Sequence, residues 1–456
     1  MDFQKSCKPA RVSSTLSAIL ILLFPALWNG FPLLVDDTGA YLARWFEGTL
    51  SPNRSTTYGL FLAAGWPLDF WPVVVLQALA AVWIVGLVLR THRLSASTLA
   101  LPAVVAALAI TTALPWLASE LLTDIFAGLA VLGLHALVYH RDRIAPAERA
   151  ALIAFIGFAG STHNATYAVL LGLSAAALAV SFIWGNERLV PRAGLAPLAT
   201  AIALGAAMLL GANYVVSGTL AWTPGGYGFA FARMLQDGIV TRYLDDHCPD
   251  PQLRLCPYRS ELPLDADKFL WGHGVFDRLG RFSGLGDEMR TIVLGSLRDY
   301  PSTQFEAALR AAARQLVAVG TGEGVVTPLW AYGILERDTP TVLPAMYAAR
   351  QQHGGLPFAR INRLHEPVAW LAMALIPLVA LLGLVDARFA DLGMLAATVW
   401  LALLGNAAVC GVLSNPHARY GSRIVWIAVF VAGLAAWRAS TTMASGVKMT
   451  SLNPQE

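Results

Sequence analysis

Two adjacent carboxylates, Asp36 and Asp37, follow an apolar run that begins near Ser14. Acids are costly where a membrane helix leaves the bilayer, so a functional role is the default interpretation. Neighbouring carboxylates repel each other, which raises the pKa of one of them toward the range of a general base. We expect the negative end of the first helix to act in the same direction. The pair therefore predicts proton abstraction or cation binding, while solvated acids at a helix exit are the simpler alternative.

A second acidic pair, Glu120 and Asp124, begins the fourth apolar run. Residues four apart share one face of a helix, so both carboxylates are predicted to point the same way. His163 precedes Asn164 at a predicted turn, and its imidazole could exchange a proton near neutral pH. The simpler alternatives are a structural polar pair and a packed turn histidine. No motif specifies a cofactor, although clustered carboxylates could hold a divalent cation.

Arginine, histidine and tyrosine residues flank these acids along the sequence. A guanidinium group matches phosphate bidentately, and a base beside such a clamp suits group transfer from a lipid-phosphate donor. The simpler alternative is that interfacial arginines anchor the protein by extending toward the lipid headgroups. The candidate substrate-binding residues are Arg44, Arg54, Tyr58, Glu120, Asp124, His163, His417, Arg419 and Tyr420.

The composition identifies the class of protein that positions these residues. Of the 456 residues, 56% are hydrophobic and only 13% are charged, whereas soluble domains carry about 25% charged residues. The sequence therefore predicts an all-α polytopic membrane protein. The net charge of +3 is spread through short loops and gives no basic footprint for nucleic acid.

Ten apolar runs approach the roughly 20 residues that a membrane span requires. The first is preceded by Lys5, Lys8 and Arg11, as in a signal peptide, but no small-residue cleavage site follows it. We therefore predict a retained first helix with a cytoplasmic N-terminus. The runs cover 14–34, 69–89, 96–114, 118–139, 149–162, 166–184, 194–216, 367–385, 391–412 and 423–437.

The charges of the loops predict the orientation of these ten helices. A cytoplasmic N-terminus puts most of the arginine-bearing short loops inside, as the positive-inside rule expects. With ten helices, the C-terminus is then predicted to be cytoplasmic as well. The candidate site residues then all lie on the opposite, periplasmic side of a bacterial inner membrane. The predicted units are 1–216 with outer loop 35–68, a periplasmic segment 217–366 between helices seven and eight, and 367–456.

The periplasmic segment contains Cys248 and Cys256. Two close cysteines in an oxidising compartment predict a disulfide. A zinc site is disfavoured because only His247 is adjacent as a further ligand. The stretch 300–319 has the spacing of an amphipathic helix, which could lie along the membrane surface or pack on a small periplasmic domain.

Four sets of residues on the predicted outer face form a recognisable pattern. They are Asp36-Asp37-Thr38-Gly39-Ala40-Tyr41, then Arg54 with Tyr58-Gly59-Leu60-Phe61, then Glu120 with Asp124, and His417-Ala418-Arg419-Tyr420. This pattern resembles the GT-C superfamily of integral-membrane glycosyltransferases, the relatives of protein mannosyltransferases and lipid-A aminoarabinose transferases. The large segment between helices seven and eight departs from several members, which carry theirs at the C-terminus.

The resemblance implies a polyprenyl-phosphate-sugar donor and transfer of the sugar with inversion. By this resemblance Asp36 or Asp37 is the base that acts on the acceptor hydroxyl, and Arg419 is the foremost contact of the leaving phosphate. The sugar, the acceptor, the metal dependence and the oligomeric state are not specified.

Two other functions remain open at this stage. A transporter or flippase for a lipid-linked or polar substrate would show internal repeats and polar groups near mid-membrane. A polysaccharide polymerase or ligase would use a large outer loop and arginines without needing the Asp36–Asp37 pair. The polar residues of this sequence gather at one face of the membrane, which favours the glycosyltransferase.

Overall fold

The computed structural model describes residues 3–450 apart from 49, 51, 53, 96, 188, 224 and 326–328. Within these residues the chain folds into α-helices joined by short 3-10 turns, and contains no β-strand. The first ten helices are α1 Phe3–Asn29, α2 Asp36–Phe46, α3 Thr56–Gly65, α4 Trp71–Thr91, α5 Ala100–Thr111, α6 Leu114–Ser119, α7 Ile125–Tyr139, α8 Pro146–Thr162, α9 Asn164–Trp184 and α10 Leu195–Ser217. The rest are α11 Gly226–Gln236, α12 Ile239–His247, α13 Ala266–Trp271, α14 Val275–Arg278, α15 Arg281–Asp299, α16 Pro301–Val317, α17 Leu329–Asp338, α18 Leu343–Ala348, α19 Phe358–Val385, α20 Ala390–Leu413 and α21 Ala418–Thr450.

Seven of the described helices are long and apolar enough to cross a bilayer, namely α1, α4, α9, α10, α19, α20 and α21. The predicted class, an all-helical protein with several membrane-spanning helices, is confirmed. The other three predicted runs also form helices, but α5, α7 and α8 have only 12, 15 and 17 residues. At 1.5 Å per residue, α7 is about 22 Å long, which is less than the roughly 30 Å of a bilayer core. The total of ten spans therefore stays a prediction.

The start of the predicted fourth helix is wrong. Helix α6 ends at Ser119, the chain runs through a non-helical link from 120 to 124, and α7 begins only at Ile125. Glu120 is extended, with ψ of 143°, because its backbone pairs with Leu33 and its carbonyl accepts from the Gln77 amide. Glu120 and Asp124 therefore do not share a helical face.

The expected position of the first acidic pair is also wrong. Helix α1 ends at Asn29, and Asp36 and Asp37 form the first turn of the separate helix α2. The chain leaves α1 at Gly30, whose φ of +87° favours glycine. The acids therefore lie at the positive end of the α2 dipole and not at the negative end of α1.

The helices place two sets of loops at opposite ends of the bundle. At one end, here the Asp36 end, the link 30–35 contacts residues 119–121, and Asp37 contacts Arg419. At the other, here the His92 end, His92 contacts His140, and Arg438 contacts Asp391. The sequence-predicted site residues of α2, of the 120–124 link and of the start of α21 all belong to the Asp36 end.

Helices α7 and α21 approach closely beside the Asp36 end. A side chain on Gly128 would lie 2.7 Å from the Trp426 ring, so only glycine permits this approach. Small residues at such contacts let membrane helices pack against each other. Gly128 lies one turn beyond Asp124, and Trp426 lies one turn beyond Arg423. The contact therefore fixes the separation of Asp124 and Arg423.

The segment between α10 and α19 contains a second hydrophobic core, built from α11 to α15. Cys248 and Cys256 are joined in a disulfide, with Cα atoms 5.6 Å apart. The predicted amphipathic helix corresponds to α16, which packs its small face, including Ala307 and Ala311, toward the rest of the protein. Phe305 on its apolar side is 67% exposed. The membrane surface, one of the two positions predicted for this helix, stays a prediction.

Candidate active site

Helix α2 is held firmly on the 120–124 link. The Thr38 hydroxyl accepts the Val35 N–H at 3.0 Å and donates to the Leu121 carbonyl at 3.0 Å. The Leu121 N–H in turn donates to the Leu33 carbonyl at 2.8 Å. These bonds fix the first turn of α2, and with it Asp36 and Asp37, above the link.

Asp37 lies between two arginines from distant parts of the chain. One carboxylate oxygen pairs with Arg54, and the other accepts from Arg419 Nη2 at 2.6 Å. Burial opposes the charge of Asp37, but the two guanidinium groups hold the pKa of this carboxyl well below its ordinary value. Such a group stays ionised and paired, which makes it a poor base and a good anchor for both arginines.

Asp36 has the opposite environment. Its side chain is exposed and forms no ion pair with the described residues. Partial burial and the neighbouring Asp37 charge raise the pKa of Asp36 above its ordinary value, and Arg419 only partly offsets them. Of the two acids, Asp36 is therefore the accessible one with the greater affinity for a proton.

Glu120 and Asp124 lie deeper, below α2. Burial, with Asp124 nearby, raises the pKa of Glu120 to about 8. Asp124 Oδ1 lies 3.6 Å from Arg423 Nη1, and both side chains are at most 2% exposed. Asp124 Oδ2 has no hydrogen-bond partner among the described residues. The two acids therefore differ in their partners: Asp124 lies beside Arg423, whereas burial favours the protonated form of Glu120.

Arg423 connects Asp124 to two further polar groups. Its guanidinium donates to Asn406 Oδ1 at 2.7 and 3.1 Å and to His163 Nδ1 at 3.2 Å. The same His163 nitrogen accepts the Ala165 N–H at 3.2 Å, where it caps α9. Because Nδ1 accepts both bonds, His163 is neutral with its proton on Nε2. The structure thus gives His163 a capping and anchoring role.

His417 is held between two acids of the α10–α19 segment. Its Nδ1 lies 2.9 Å from Glu323, and its Nε2 lies 3.4 Å from Asp267. Burial opposes its charge, but the hydrogen bonds to Asp267 and Glu323 raise the pKa of His417 to about 10. Glu323 also accepts the Arg419 N–H at 2.9 Å. The segment therefore reaches over the site and fixes the start of α21.

His417 gives the fold a defined dependence on pH. The pKa of His417 in the folded protein lies above the unfolded value of about 6.5. The charged imidazole therefore contributes fully to the free energy of unfolding below pH 6.5, and this contribution is lost as the pH rises toward 10. We expect His417→Gln to lower stability more at pH 6 than at pH 9, with a difference on the order of 1–3 kcal/mol. Thermal unfolding in detergent at both pH values measures it, with the exposed His353→Gln as control. An equal loss at both pH values would refute the charged state.

Two predicted binding residues lie outside this cluster. Arg44 is fully buried and donates to Thr56 Oγ1 at 2.6 Å and to Asn213 Oδ1 at 2.9 Å. Tyr58 is also fully buried and donates to Gln77 Oε1 at 3.0 Å. Arg44 thus joins α2 to α3 and α10, and Tyr58 joins α3 to α4. Both position the site and do not line it.

The remaining predicted residue, Tyr420, lies beside Arg419 and Arg423 at the start of α21. The guanidinium carbons of Arg419 and Arg423 lie 5.1 and 5.7 Å from the centre of its ring. A cation near an aromatic ring is attracted by the electron density of the ring. Tyr420 therefore helps to hold both guanidinium groups at the Asp36 end.

Sequence reasoning missed several residues of this cluster. Glu323 and Asp267 lie in the α10–α19 segment, and Asn406 lies within the apolar helix α20. Glu323 lies between Gly322 and Gly324, whose φ angles are +90° and +84°. An acid between two glycines in an otherwise apolar stretch was the available signal for Glu323. Asn406 gave none, because a single polar residue in a long apolar helix has many roles.

One side of the bundle carries an apolar groove. It encloses about 300 Å³ between α16, α19 and α20. A much smaller cleft of about 10 Å³ shares Leu316 and Met373 with it and is also lined by Gly421 and by Asn406, the partner of Arg423. The groove, here the α16–α20 groove, is lined by Leu316, Val317, Trp370, Met373, Ala374 and Trp400.

A divalent cation was one predicted use of the acids. Among the described residues, three side chains with ligand atoms close together occur only at the His92 end, in His92, His135 and His140. The acids near Asp36 form no such group within that part of the chain. Two of them, Asp37 and Asp124, are paired with arginines, which offset their negative charge and disfavour a cation beside them.

No protein-family model, curated protein or solved structure matches this chain. The resemblance to GT-C enzymes is therefore a prediction that rests on the sequence motifs alone.

Proposed function

We propose that this chain is an integral-membrane glycosyltransferase of the GT-C type. It moves a sugar from a polyprenyl-phosphate donor to a hydroxyl acceptor on the periplasmic side of a bacterial inner membrane. One observation carries this proposal: the exposed carboxylate of Asp36 adjoins Asp37, which is paired with Arg54 and Arg419. The arrangement combines an available base with two oriented cations at one end of a bundle of apolar helices.

The reaction assigns a separate role to each charged group. Asp36 takes the proton of the acceptor hydroxyl, and the acceptor oxygen bonds to the anomeric carbon from the side opposite the phosphate. The bond between that carbon and the phosphate oxygen breaks, and its electron pair leaves with the polyprenyl phosphate. Arg419 and Arg54 stabilise the negative charge that develops on the phosphate. The transition state resembles an oxocarbenium ion. Because the acceptor attacks one face of the sugar and the phosphate leaves from the other, the configuration at the anomeric carbon is inverted.

Asp37 keeps the arginines ready for the phosphate. A guanidinium has five N–H donors, and Asp37 accepts only one of them from Arg419. The pairing therefore holds this side chain in place while leaving it capacity for a phosphate oxygen. Asp37 acts as a positioning residue in this proposal, and Asp36 is the base.

The α16–α20 groove supplies a place for the lipid part of the donor. Its lining is apolar, and Trp370 on its wall is 45% exposed. The small cleft beside it is lined by Asn406, which binds Arg423. A polyprenyl chain in the groove would bring its phosphate toward the arginines at the Asp36 end. Removing apolar surface from water contributes about 25 cal/mol of free energy per Å², which favours this placement.

The proposed orientation follows from the loop charges. With ten spans and both termini in the cytoplasm, the Asp36 end faces the periplasm and residues 217–366 lie there. The short helices α5, α7 and α8 would complete the ten spans. Because α7 is shorter than a bilayer core, Asp124 at its start would lie near the boundary between the hydrocarbon core and the headgroups. Lipid phosphates are found at this boundary.

Replacing Arg419 by lysine tests the phosphate contact. Lysine keeps the charge but loses the planar fork, so we expect kcat/KM for the donor to fall about 10- to 100-fold. Transfer of radiolabelled sugar from polyprenyl phosphate in proteoliposomes measures this value. Arg360→Lys changes an exposed arginine in the same way and serves as the control. An unchanged kcat/KM in a folded Arg419→Lys variant would exclude the assigned contact.

A further inference from the structure

Three buried histidines meet at the His92 end, far from the proposed active site. His92 follows α4, His135 lies within α7, and His140 follows α7. They are 2%, 0% and 8% exposed, and one ring nitrogen from each lies within 4.8 Å of the others. Burying three imidazoles that face one another leaves few partners for their nitrogens, so the bonds of each ring decide what the cluster can bind.

The proton of His92 is placed by a backbone carbonyl. Its Nδ1 lies 3.0 Å from the Val88 oxygen, which can only accept a hydrogen bond. Nδ1 therefore carries the proton, and the lone pair on Nε2 points toward the other two histidines. A backbone carbonyl that holds one ring nitrogen in this way is typical of histidines that bind metal through the other nitrogen.

The proton of His135 is placed in the same way by a hydroxyl. Thr398 donates its own proton to the Met394 carbonyl at 3.0 Å, so its oxygen accepts from His135 Nδ1 at 2.9 Å. The lone pair of His135 then lies on Nε2. This nitrogen is buried and has no hydrogen-bond partner among the described residues. An unpartnered buried nitrogen that faces two imidazoles points to a missing ligand.

The third ring completes the arrangement. His140 Nε2 lies 3.3 Å from His92 Nε2. Two nitrogens that bind one tetrahedral Zn²⁺ at about 2.0–2.1 Å are separated by about 3.3–3.4 Å. The His92–His140 pair therefore already has the spacing of a tetrahedral edge. His135 needs to approach by at most about 1.5 Å to complete the triangle, since all three atoms lie within 4.8 Å.

The charged side chains near the three histidines are bound to other groups of the protein. Arg143 is directed at the Thr91 carbonyl, and Arg438 pairs with Asp391 and donates to the His92 carbonyl at 2.8 Å. Both arginines are thus engaged with acceptors, and the charge of Asp391 is offset by Arg438, so the imidazole lone pairs would have to bind the cation.

We propose that His92, His135 and His140 bind a transition-metal dication, with Zn²⁺ as the expected ion. His92 and His135 have fixed tautomers with a lone pair on Nε2. Three imidazoles with a fourth position for water form a known type of zinc site. The metal would join α4 to α7 and, through Thr398, to α20. This site is independent of the proposed transfer reaction and acts on the stability of the bundle.

Metal binding to the full-length protein tests the proposal. The protein is purified in detergent through a tag without histidine, stripped with a chelator, and titrated with Zn²⁺ alone. We expect one tight Zn²⁺ per wild-type chain by elemental analysis and calorimetry, together with a higher unfolding temperature. His135→Gln should weaken binding at least about 100-fold, whereas His273→Gln, at an exposed histidine, should not.

Thr398→Val provides a second variant that keeps all three ligands. Loss of an outer hydrogen bond to a ligand histidine typically weakens metal binding 10- to 100-fold, and we expect that range here. It also covers the case in which His135→Gln does not fold. A wild-type chain that binds no tight Zn²⁺, or binding that is equal in wild type, His135→Gln and Thr398→Val, would overturn the proposal.

Discussion

Asp36→Asn is expected to lower sugar transfer by about 10²- to 10⁴-fold, the range that general base catalysis contributes. Asparagine has the shape of aspartate but cannot take the proton of the acceptor hydroxyl. Asp36 is exposed and forms no ion pair among the described residues, so its replacement should leave the fold intact. Initial rates with a radiolabelled polyprenyl-phosphate sugar measure the effect.

The comparison with Asp37→Asn makes this prediction specific. Asp37→Asn removes the partner of Arg54 and Arg419 and should lower both expression and donor affinity. Asp287→Asn, at an exposed acid of α15, serves as the matched control and should behave as wild type. Full activity in Asp36→Asn combined with a stable, inactive Asp37→Asn would assign the base to Asp37 and contradict the account.

Arg423→Gln is expected to destabilise the protein by about 3–5 kcal/mol, the usual cost of leaving a buried charge without its partner. Arg423 is fully buried, and it alone among the described residues forms an ion pair with Asp124. Glutamine cannot supply the positive charge, so Asp124 must take up a proton or remain ionised in an apolar surrounding. Unfolding followed by temperature or denaturant in detergent micelles measures the loss.

Adding Asp124→Asn to Arg423→Gln tests the cause of this loss. Removing both charges should recover part of the stability, because no unpaired buried charge remains. Arg310→Gln breaks an exposed pair with Glu306 and should cost at most about 0.5 kcal/mol. Equal losses in Arg423→Gln and Arg310→Gln, or a double variant less stable than either single one, would contradict the role assigned to the pair.

Composition was sufficient to predict the helical membrane architecture, because apolar runs of spanning length leave few other solutions. It was not sufficient to predict where α7 begins. The residues from 118 onward are apolar enough to continue a helix, but Gln77 and Leu33 bind the backbone around Glu120 and hold it extended. Both partners are distant in the sequence, so local pattern cannot reveal them.

The candidate site was predictable as a set of residue types and only partly as an arrangement. The sequence separates Asp37 from Arg419 by 382 residues, yet their side chains meet. Arg44 has the same residue type as Arg419, but it is fixed by Asn213 on α10 and takes no part in the cluster. Residue type thus identified the candidates, and only the packing of the helices separated those in the site from those that support it.

The histidine cluster shows the same difficulty. His92 and His140 follow different helices, and His135 lies inside an apolar run. Their spacing in the sequence matches no metal motif, because the three rings come together only when α4 and α7 pack side by side. The signal was limited to histidines at the ends of neighbouring helices, which is too common to indicate a site.

The most direct test of the central claim follows the bond between the sugar and the phosphate. Purified protein in liposomes receives a polyprenyl-phosphate sugar labelled in the sugar, from a panel of donors, with a membrane extract as the source of acceptor. We expect wild type to release free polyprenyl phosphate and to label the acceptor, and Asp36→Asn to do neither. Movement of intact donor across the bilayer, with no cleavage in any member of the panel, would contradict the account and identify a transporter.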